Sequence, residues 1–118
     1  MSKFLGIFTG SPNSPQGQAW QKLDEATRKE RTEKGMKAWH DWMAKHASVI
    51  SETGGPLGKT KKVSNSGVAD IANNLSAFII VEANSHEAAA KLFENHPHFS
   101  IFPGDSVEIM PVMPIPGN

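Results

Sequence analysis

The stretch "SAFIIVEA", residues 76–83, decides the fold because it is the clearest strand of the chain. It combines β-branched and aromatic residues in one short run, which is typical of strands. Neighbouring side chains of a strand point to opposite faces of its sheet. Ile79 and Val81 therefore share one face, and Phe78 and Ile80 share the other. The sheet that holds this strand is predicted to be apolar on both faces.

A helix and a final strand follow this stretch. Ser85 is suited to cap a helix that runs through "HEAAAKLFEN" until Pro97 prevents its continuation. Asn95 is suited to a left-handed cap before that proline. The segment "SVEIMPVMPI" predicts the last strand, and its prolines, Pro111 and Pro114, favour an edge position.

Two strands and a long helix precede it. "KFLGIF", residues 3–8, predicts a first strand, and the Gly, Pro and Ser residues of "TGSPNSPQG" predict a loop. Thr27 and Glu30 match a capping box, which predicts a helix from about Arg28 to Ala47. "SVISETGG" predicts a second strand that ends where "GGPLG" forces a turn. The polar stretch "KTKKVSNSGVADIANNL" predicts a long loop, either a lid or an arm, with a hairpin possible around "SNSG".

The long helix is predicted to be amphipathic. Lys37, Asp41 and Lys45 mark its polar side. The opposite stripe, at helical spacing, consists of Met36, Trp39, His40, Met43, Ala47 and Ile50. A histidine at the margin of a core-facing stripe is unusual, which makes it a candidate for function.

The order of elements is β-α-β-β-α-β. It predicts an α+β, ferredoxin-like domain over residues 1–118, in which two helices cover one face of an antiparallel sheet. The other face would expose a large apolar patch. Packing that face against a second copy removes the exposure, so the sequence predicts a two-fold homodimer through the sheet faces.

Composition narrows the function classes. Twelve basic and twelve acidic residues cancel, which argues against a nucleic-acid or membrane-surface partner. The absence of cysteine excludes a disulfide framework and fits a cytoplasmic protein. No apolar run reaches the length of a membrane span, and the N-terminal run is too short for a signal peptide.

The chain also resembles a known family. The segments "GMKAWHDWMAKHA", "GGPLG", "VEANSHEAAAKLFENHPH" and "VEIMPVMPIPG" resemble the YCII-related proteins of the dimeric α-β barrel superfamily, near the DGPF branch. The resemblance implies a ferredoxin-like fold and a dimer. In some relatives a His–Asp pair has been proposed as the active site, and one branch is associated with chloride elimination from chlorinated hydroquinones. Carried over to this sequence, the helix histidine is His40, or by spacing Trp39, and Glu52 stands near the position of the Asp.

His40 is the candidate catalytic acid or base, because imidazole titrates near neutral pH. Glu52, near the end of a strand, is the candidate that orients it. Trp42 lies at the flank of the helix stripe and is a candidate wall for an aromatic ligand. The alternatives are a helix histidine bonded to a loop carbonyl, a solvent-facing glutamate and a tryptophan that fills core or interface.

His96 and His98 flank Pro97 and form the second cluster. They supply two of the three or four ligands that zinc needs, so the spacing favours a helix-ending corner over a metal site. One of them could still reach a pocket as a ligand contact. Two functions therefore remain: a cofactor-independent lyase or isomerase acting on a small aromatic or enol substrate, or a non-catalytic module that binds a small ligand in the same cleft.

Overall fold

The computed structural model describes residues 1–117. Its six strands and four helices are β1 (Ser2–Thr9), α1 (Pro15–Gln21), α2 (Glu25–Lys45), β2 (Ile50–Pro56), β3 (Thr60–Ser64), β4 (Gly67–Ile71), β5 (Leu75–Ala83), α3 (His86–Lys91), α4 (Pro97–Ser100) and β6 (Ser106–Pro111). No helix among these residues is long and apolar enough to cross a membrane.

Four strands form the main sheet in the order β2-β5-β1-β6, and each neighbouring pair is antiparallel. The strand predicted at residues 76–83 is therefore central, and β6 is an edge strand, as its prolines indicated. This order, with helices between β1 and β2 and between β5 and β6, confirms the predicted ferredoxin-like arrangement.

Helices cover one face of the main sheet and leave the other face open. Phe4, Phe8, Ile79 and Val81 are buried on the face that the helices cover. The side chains between them, such as Ile80, are only half-buried within a single chain. The predicted alternation of β1 and β5 is confirmed, and the second face lacks a helix layer.

The segment before the long helix was wrongly predicted as loop. Ser14 accepts a hydrogen bond from Gly17 N and caps the short helix α1, which has a proline in its first turn. Asp24, rather than Thr27, caps α2: its carboxylate accepts from Thr27 N at 2.7 Å, so α2 begins at Glu25. The sequence prediction missed α1, as it also missed α4, and placed the start of α2 one turn too late.

The predicted core-facing stripe of α2 was right at Trp39 and Met43, which pack against the core, but its centre was misplaced by about one residue or 100° of helix rotation. Met36 is 46% exposed and His40 is exposed, whereas Gly35 and Trp42 are buried. A glycine carries no hydrophobic signal, yet a β-carbon at residue 35 would lie 2.5 Å from the ring of Phe102. The helix turns its glycine inward because another element packs there.

The long polar stretch forms an arm rather than an irregular loop. β3 and β4 pair as a separate two-stranded hairpin around "SNSG", and Lys61 forms an ion pair of 2.7 Å with Asp70 across it. Val63 and Val68, which face each other in the register, are strongly exposed. The possible hairpin is confirmed, and its apolar residues lack cover within residues 1–117 of one chain.

Candidate functional site

The stretch from Asn95 to His98 forms a corner between two short helices. Asn95 has the predicted left-handed backbone angle, with a φ of 58°, but α3 itself ends earlier than predicted, at Lys91, with Leu92 as its C-cap. Pro97 is the first residue of α4, and the Nδ1 atom of His96 accepts a hydrogen bond from the backbone N–H of His98 at 3.0 Å. The residues predicted to end a helix therefore also begin the next one. Both imidazole rings are buried, which the local pattern did not reveal.

His96 lies inside an aromatic box and is 0% exposed. Its ring stands edge-on to Trp39 and Trp42, with ring centroids 4.6 and 4.7 Å away. Because Nδ1 accepts a hydrogen bond, the ring proton is on Nε2, which has no hydrogen-bond partner within residues 1–117. Burial, and then the nearby rings of His98 and His46, lower the pKa of His96 to about 3. The ring is therefore neutral, and its contacts indicate a structural rather than a catalytic role.

His98 is held by the end of β1. Its Nε2 lies 2.7 Å from the carbonyl oxygen of Thr9, and because a carbonyl only accepts, Nε2 carries the proton. The same carbonyl accepts from Asp105 N at 2.9 Å. Gly104 packs against the imidazole so closely that a β-carbon there would lie 2.2 Å from Nε2. Neutral His98 therefore presents Nδ1 as its acceptor atom.

The charge state of His98 follows from these surroundings. Burial lowers the pKa of His98, and it outweighs the hydrogen bond to Thr9 and the negative charge of Asp105, which both raise it. A neutral imidazole can accept a proton near pH 7, and the same carbonyl and carboxylate would stabilise the imidazolium that results.

His98 lines a cavity of about 350 Å³, which we call the His98 cavity. It lies between the loop that follows β1 and the loop between α4 and β6. Its lining residues are Gly10, Ser11, Pro12, Gly17, Trp20, Gln21, Ser76, His98, Phe102, Pro103 and Gly104. The lining is largely apolar, and His98 is its one titratable side chain among the described residues. This combination is typical of a small-ligand site.

The predicted pair of His40 and Glu52 is not brought together within one chain. His40 is exposed on α2, on the covered side of the sheet. Glu52 pairs with Ile80, on the open face, and its carboxylate accepts from Gly54 N at 3.1 Å. No hydrogen bond joins the two side chains within residues 1–117. The catalytic roles of His40 and Glu52 stay a prediction, and a single chain does not bring the two side chains together.

The three predicted ligand residues, Trp42, His96 and His98, do not share one site. Trp42 is 8% exposed, and its Nε1–H donates to the carbonyl oxygen of Leu92 at 2.9 Å, so it belongs to the core rather than the flank of α2. Neither Trp42 nor His96 lines the His98 cavity. Of the three predicted ligand residues, His98 alone does so.

Sequence reasoning missed the aromatic wall and the glycines of this cavity. Trp20 lies between the predicted loop and the predicted long helix, in a stretch without a predicted element, and Phe102 follows the histidine corner without any periodic pattern. Gly104 after Pro103 was readable as a turn, but its contact with His98 depends on a packing that the sequence does not show.

Within residues 1–117, no group of three or more His, Cys, Asp or Glu side chains is placed to hold a metal ion. The two histidines of the corner instead use their ring nitrogens toward backbone groups.

Comparisons with known proteins identify the fold. No family model and no curated protein matches the sequence. Among solved structures, the chain is similar to 5-chloro-2-hydroxyhydroquinone dehydrochlorinase from Burkholderia phenoliruptrix AC1100 in complex with 2,5-dihydroxybenzoquinone. The TM-score is 0.54 at 18% identity, over 92% of this chain and 90% of that chain. At this identity the match shows a shared α+β, ferredoxin-like fold and nothing further.

Proposed function

We propose that this protein is a small, cofactor-independent acid–base enzyme of lyase or isomerase type, in which His98 is the general base. The observation that carries the proposal is the hydrogen bond from His98 Nε2–H to Thr9 O at the wall of a largely apolar cavity that opens to the surface. That bond fixes the tautomer and leaves Nδ1 to take a proton from a ligand.

The reaction follows from the base. Nδ1 accepts a proton from an O–H or C–H group of a small aromatic or enol substrate, and the electron pair of the broken bond stays on the substrate. Return of the proton at another carbon gives an isomerisation, and departure of a neighbouring group with its bonding pair gives an elimination. The imidazolium then strengthens its hydrogen bond to the Thr9 carbonyl. The proton is released when His98 returns to its neutral state.

The family resemblance and the comparison support this reaction class. The structural neighbour is named as a dehydrochlorinase of a hydroxylated ring, which is compatible with an elimination that needs no cofactor. We propose that this chain is a YCII-related protein with a ligand site at the His98 cavity.

Replacing His98 with asparagine should lower proton exchange between D₂O and a panel of small phenols and enols by at least about 100-fold, measured by NMR. Loss of the base removes the exchange while the cavity remains. Circular dichroism and thermal unfolding of the variant show whether the fold is kept. Wild-type exchange rates in a folded His98→Asn variant would rule out this role.

His40→Asn and Glu52→Gln separate the two candidate sites in the same assay. Retained exchange in both variants, together with loss in His98→Asn, supports the His98 cavity. Loss in His40→Asn with retention in His98→Asn supports the helix histidine that the sequence predicted.

A non-catalytic binding module is the second candidate. It is favoured by the single titratable side chain of the lining, because acid–base sites often pair two such groups. Ligand-dependent thermal stabilisation of the wild type without any exchange or turnover would support this candidate over the enzyme.

We also propose that the protein is a homodimer through its open sheet face. Leu5, Ile80 and Met110 lie side by side in the register of three strands, and Met110 is 41% exposed. The radius of gyration is 16.3 Å, whereas a compact domain of this length has about 13 Å. A thin, open chain with an apolar face fits one half of a two-fold assembly.

Light scattering at micromolar concentration should give twice the chain mass of 12.8 kDa. Leu5→Lys, on the open face, should shift the mass toward the monomer because an ammonium group would be buried without a partner. Met36→Lys is the matched control on the exposed side of α2 and should leave the mass unchanged. A wild-type monomer would contradict the proposal.

A further inference from the structure

None of the eleven residues that line the His98 cavity carries a carboxylate, an ammonium or a guanidinium group. Three charged residues lie behind the lining, and one of them, Arg28, donates to the carbonyl oxygens of Gln21 and Leu23. Asp105 follows Gly104, and its charge is negative. Arg31 stacks on Trp20 and donates to the carbonyl oxygen of Ile101. Transferring an ionised ligand into a cavity without a counter-ion is costly, so the lining disfavours carboxylates and phosphates.

Three polar side chains of the lining keep acceptors for a ligand that donates hydrogen bonds, and the Ser11 hydroxyl, whose oxygen accepts from Asn13 N, adds one donor. Ser76 Oγ–H donates to Phe8 O at 3.0 Å, and Gln21 Nε2 donates to Pro12 O at 3.0 Å. His98 Nε2–H donates to Thr9 O. Each of the three side chains has a donor engaged with the backbone and keeps an acceptor lone pair. A phenol or enol hydroxyl can donate to such acceptors, whereas a carboxylate offers acceptors only.

Trp20 supplies the aromatic wall. It lies in α1, a helix of only seven residues, and its ring centroid is 6.3 Å from that of Phe102. The guanidinium carbon of Arg31 lies 5.4 Å from the Trp20 ring centroid, and Arg31 Nη2 donates to Ile101 O at 2.7 Å. Arg31 therefore joins α1, α2 and the segment after α4, which are the elements around the cavity.

From these contacts we infer that the His98 cavity selects an uncharged, single-ring molecule with hydroxyl groups, which lies against Trp20. Trp20 is the specificity-determining residue, and Arg31 is a positioning residue that fixes the indole. A volume of about 350 Å³ is near the lower end of ligand pockets, as expected for one ring. The inference rests on the proposed function in taking this cavity as the ligand site.

Resorcinol and 3,5-dihydroxybenzoate are matched probes, because they share a ring and two hydroxyl groups and differ by a carboxylate. In NMR titrations of the full chain at pH 7, followed at the Trp20 indole N–H, resorcinol should bind at least about tenfold more tightly. Equal or tighter binding of the carboxylate, or no binding of resorcinol at this indole, would overturn the inference.

Two substitutions test the roles of the residues. Trp20→Leu should weaken resorcinol binding by about fivefold, and Trp20→Phe should restore most of it by retaining an aromatic face. Arg31→Lys keeps the charge but loses the planar stack, so it should weaken binding in the wild type and have little further effect in Trp20→Leu. Additive effects of the two substitutions on binding would show that Arg31 acts independently of Trp20 and would refute its positioning role.

The failures of this inference and of the proposed function are distinguishable. Equal binding of the two probes, with proton exchange lost in His98→Asn, refutes the charge selection and leaves the base in place. Selective binding of resorcinol, with exchange kept in His98→Asn, refutes the base and leaves the selection.

Discussion

Acidification from pH 7 to pH 4 should lower the free energy of unfolding by about 3 kcal/mol through His96 alone. The pKa of His96 is lowered from 6.5 to about 3 in the folded chain, chiefly by burial. Above pH 6.5 the ring is neutral in both states. As the pH falls from 6.5 toward 3, the unfolded chain binds a proton that the folded chain does not, and stability is lost over that window. The lowered pKa of His98 acts in the same direction.

Urea unfolding at several pH values measures this dependence, and His96→Asn tests its source. Asparagine can still cap α4, because its side-chain oxygen accepts from a backbone N–H as the His96 ring does. The variant should show a distinctly shallower loss of stability below pH 6.5, whatever its stability at pH 7. His40→Asn, at an exposed position, is the control and should keep the wild-type slope. An unchanged slope in His96→Asn would show that this ring is not the cause.

Gly54→Ala should destabilise the fold by at least about 3 kcal/mol. Gly54 has a φ of 62°, which costs a residue with a β-carbon about 1 kcal/mol or more. In addition, a β-carbon there would lie 1.9 Å from the carbonyl oxygen of Phe78, a backbone atom of the central strand. The methyl group can be accommodated only if β2 moves away from β5.

The next residue provides a matched control. A β-carbon at Gly55 would meet no atom within 4 Å, so Gly55→Ala should change the free energy of unfolding by less than about 1 kcal/mol. Urea unfolding of both variants measures the difference. Equal effects of the two substitutions would show that residue 54 does not require a glycine. The pair also explains "GGPLG": β2 continues to Pro56, and the predicted turn is an irregularity in its register with β5.

The strands were predictable because their signals are local. The alternation in "SAFIIVEA" depends only on neighbouring side chains pointing to opposite faces, and the sheet confirms it at Ile79 and Val81. The Ser85 cap and the left-handed conformation of Asn95 were likewise predictable, since both depend on residues within one turn. The choice between two possible N-cap residues of α2 was harder to predict. Asp24 was overlooked because Thr27 matched the capping-box motif.

The candidate site was predicted only in part. His98 was a predicted candidate for ligand contact, but its pairing with Thr9 joins residues 89 positions apart, and no local pattern carries that information. Trp42 and His40 exchanged their expected environments because Gly35 and Phe102, which contact each other, set the rotation of α2. A glycine adds no signal to a hydrophobic pattern, yet its missing side chain lets Phe102 approach the helix closely.

The sequence by itself determined the four strands of the main sheet with α2 and α3 between them, the two apolar faces of the sheet and the corner at Pro97, because each depends on backbone preferences and side-chain periodicity within a few residues. Only the tertiary structure decided which histidine faces a cavity, which one is sealed among aromatic rings and which tryptophan is core. These outcomes depend on contacts between β1, α1, α2 and the loop before β6, where close approaches such as that of Gly104 to His98 select one arrangement among many that share the same pattern.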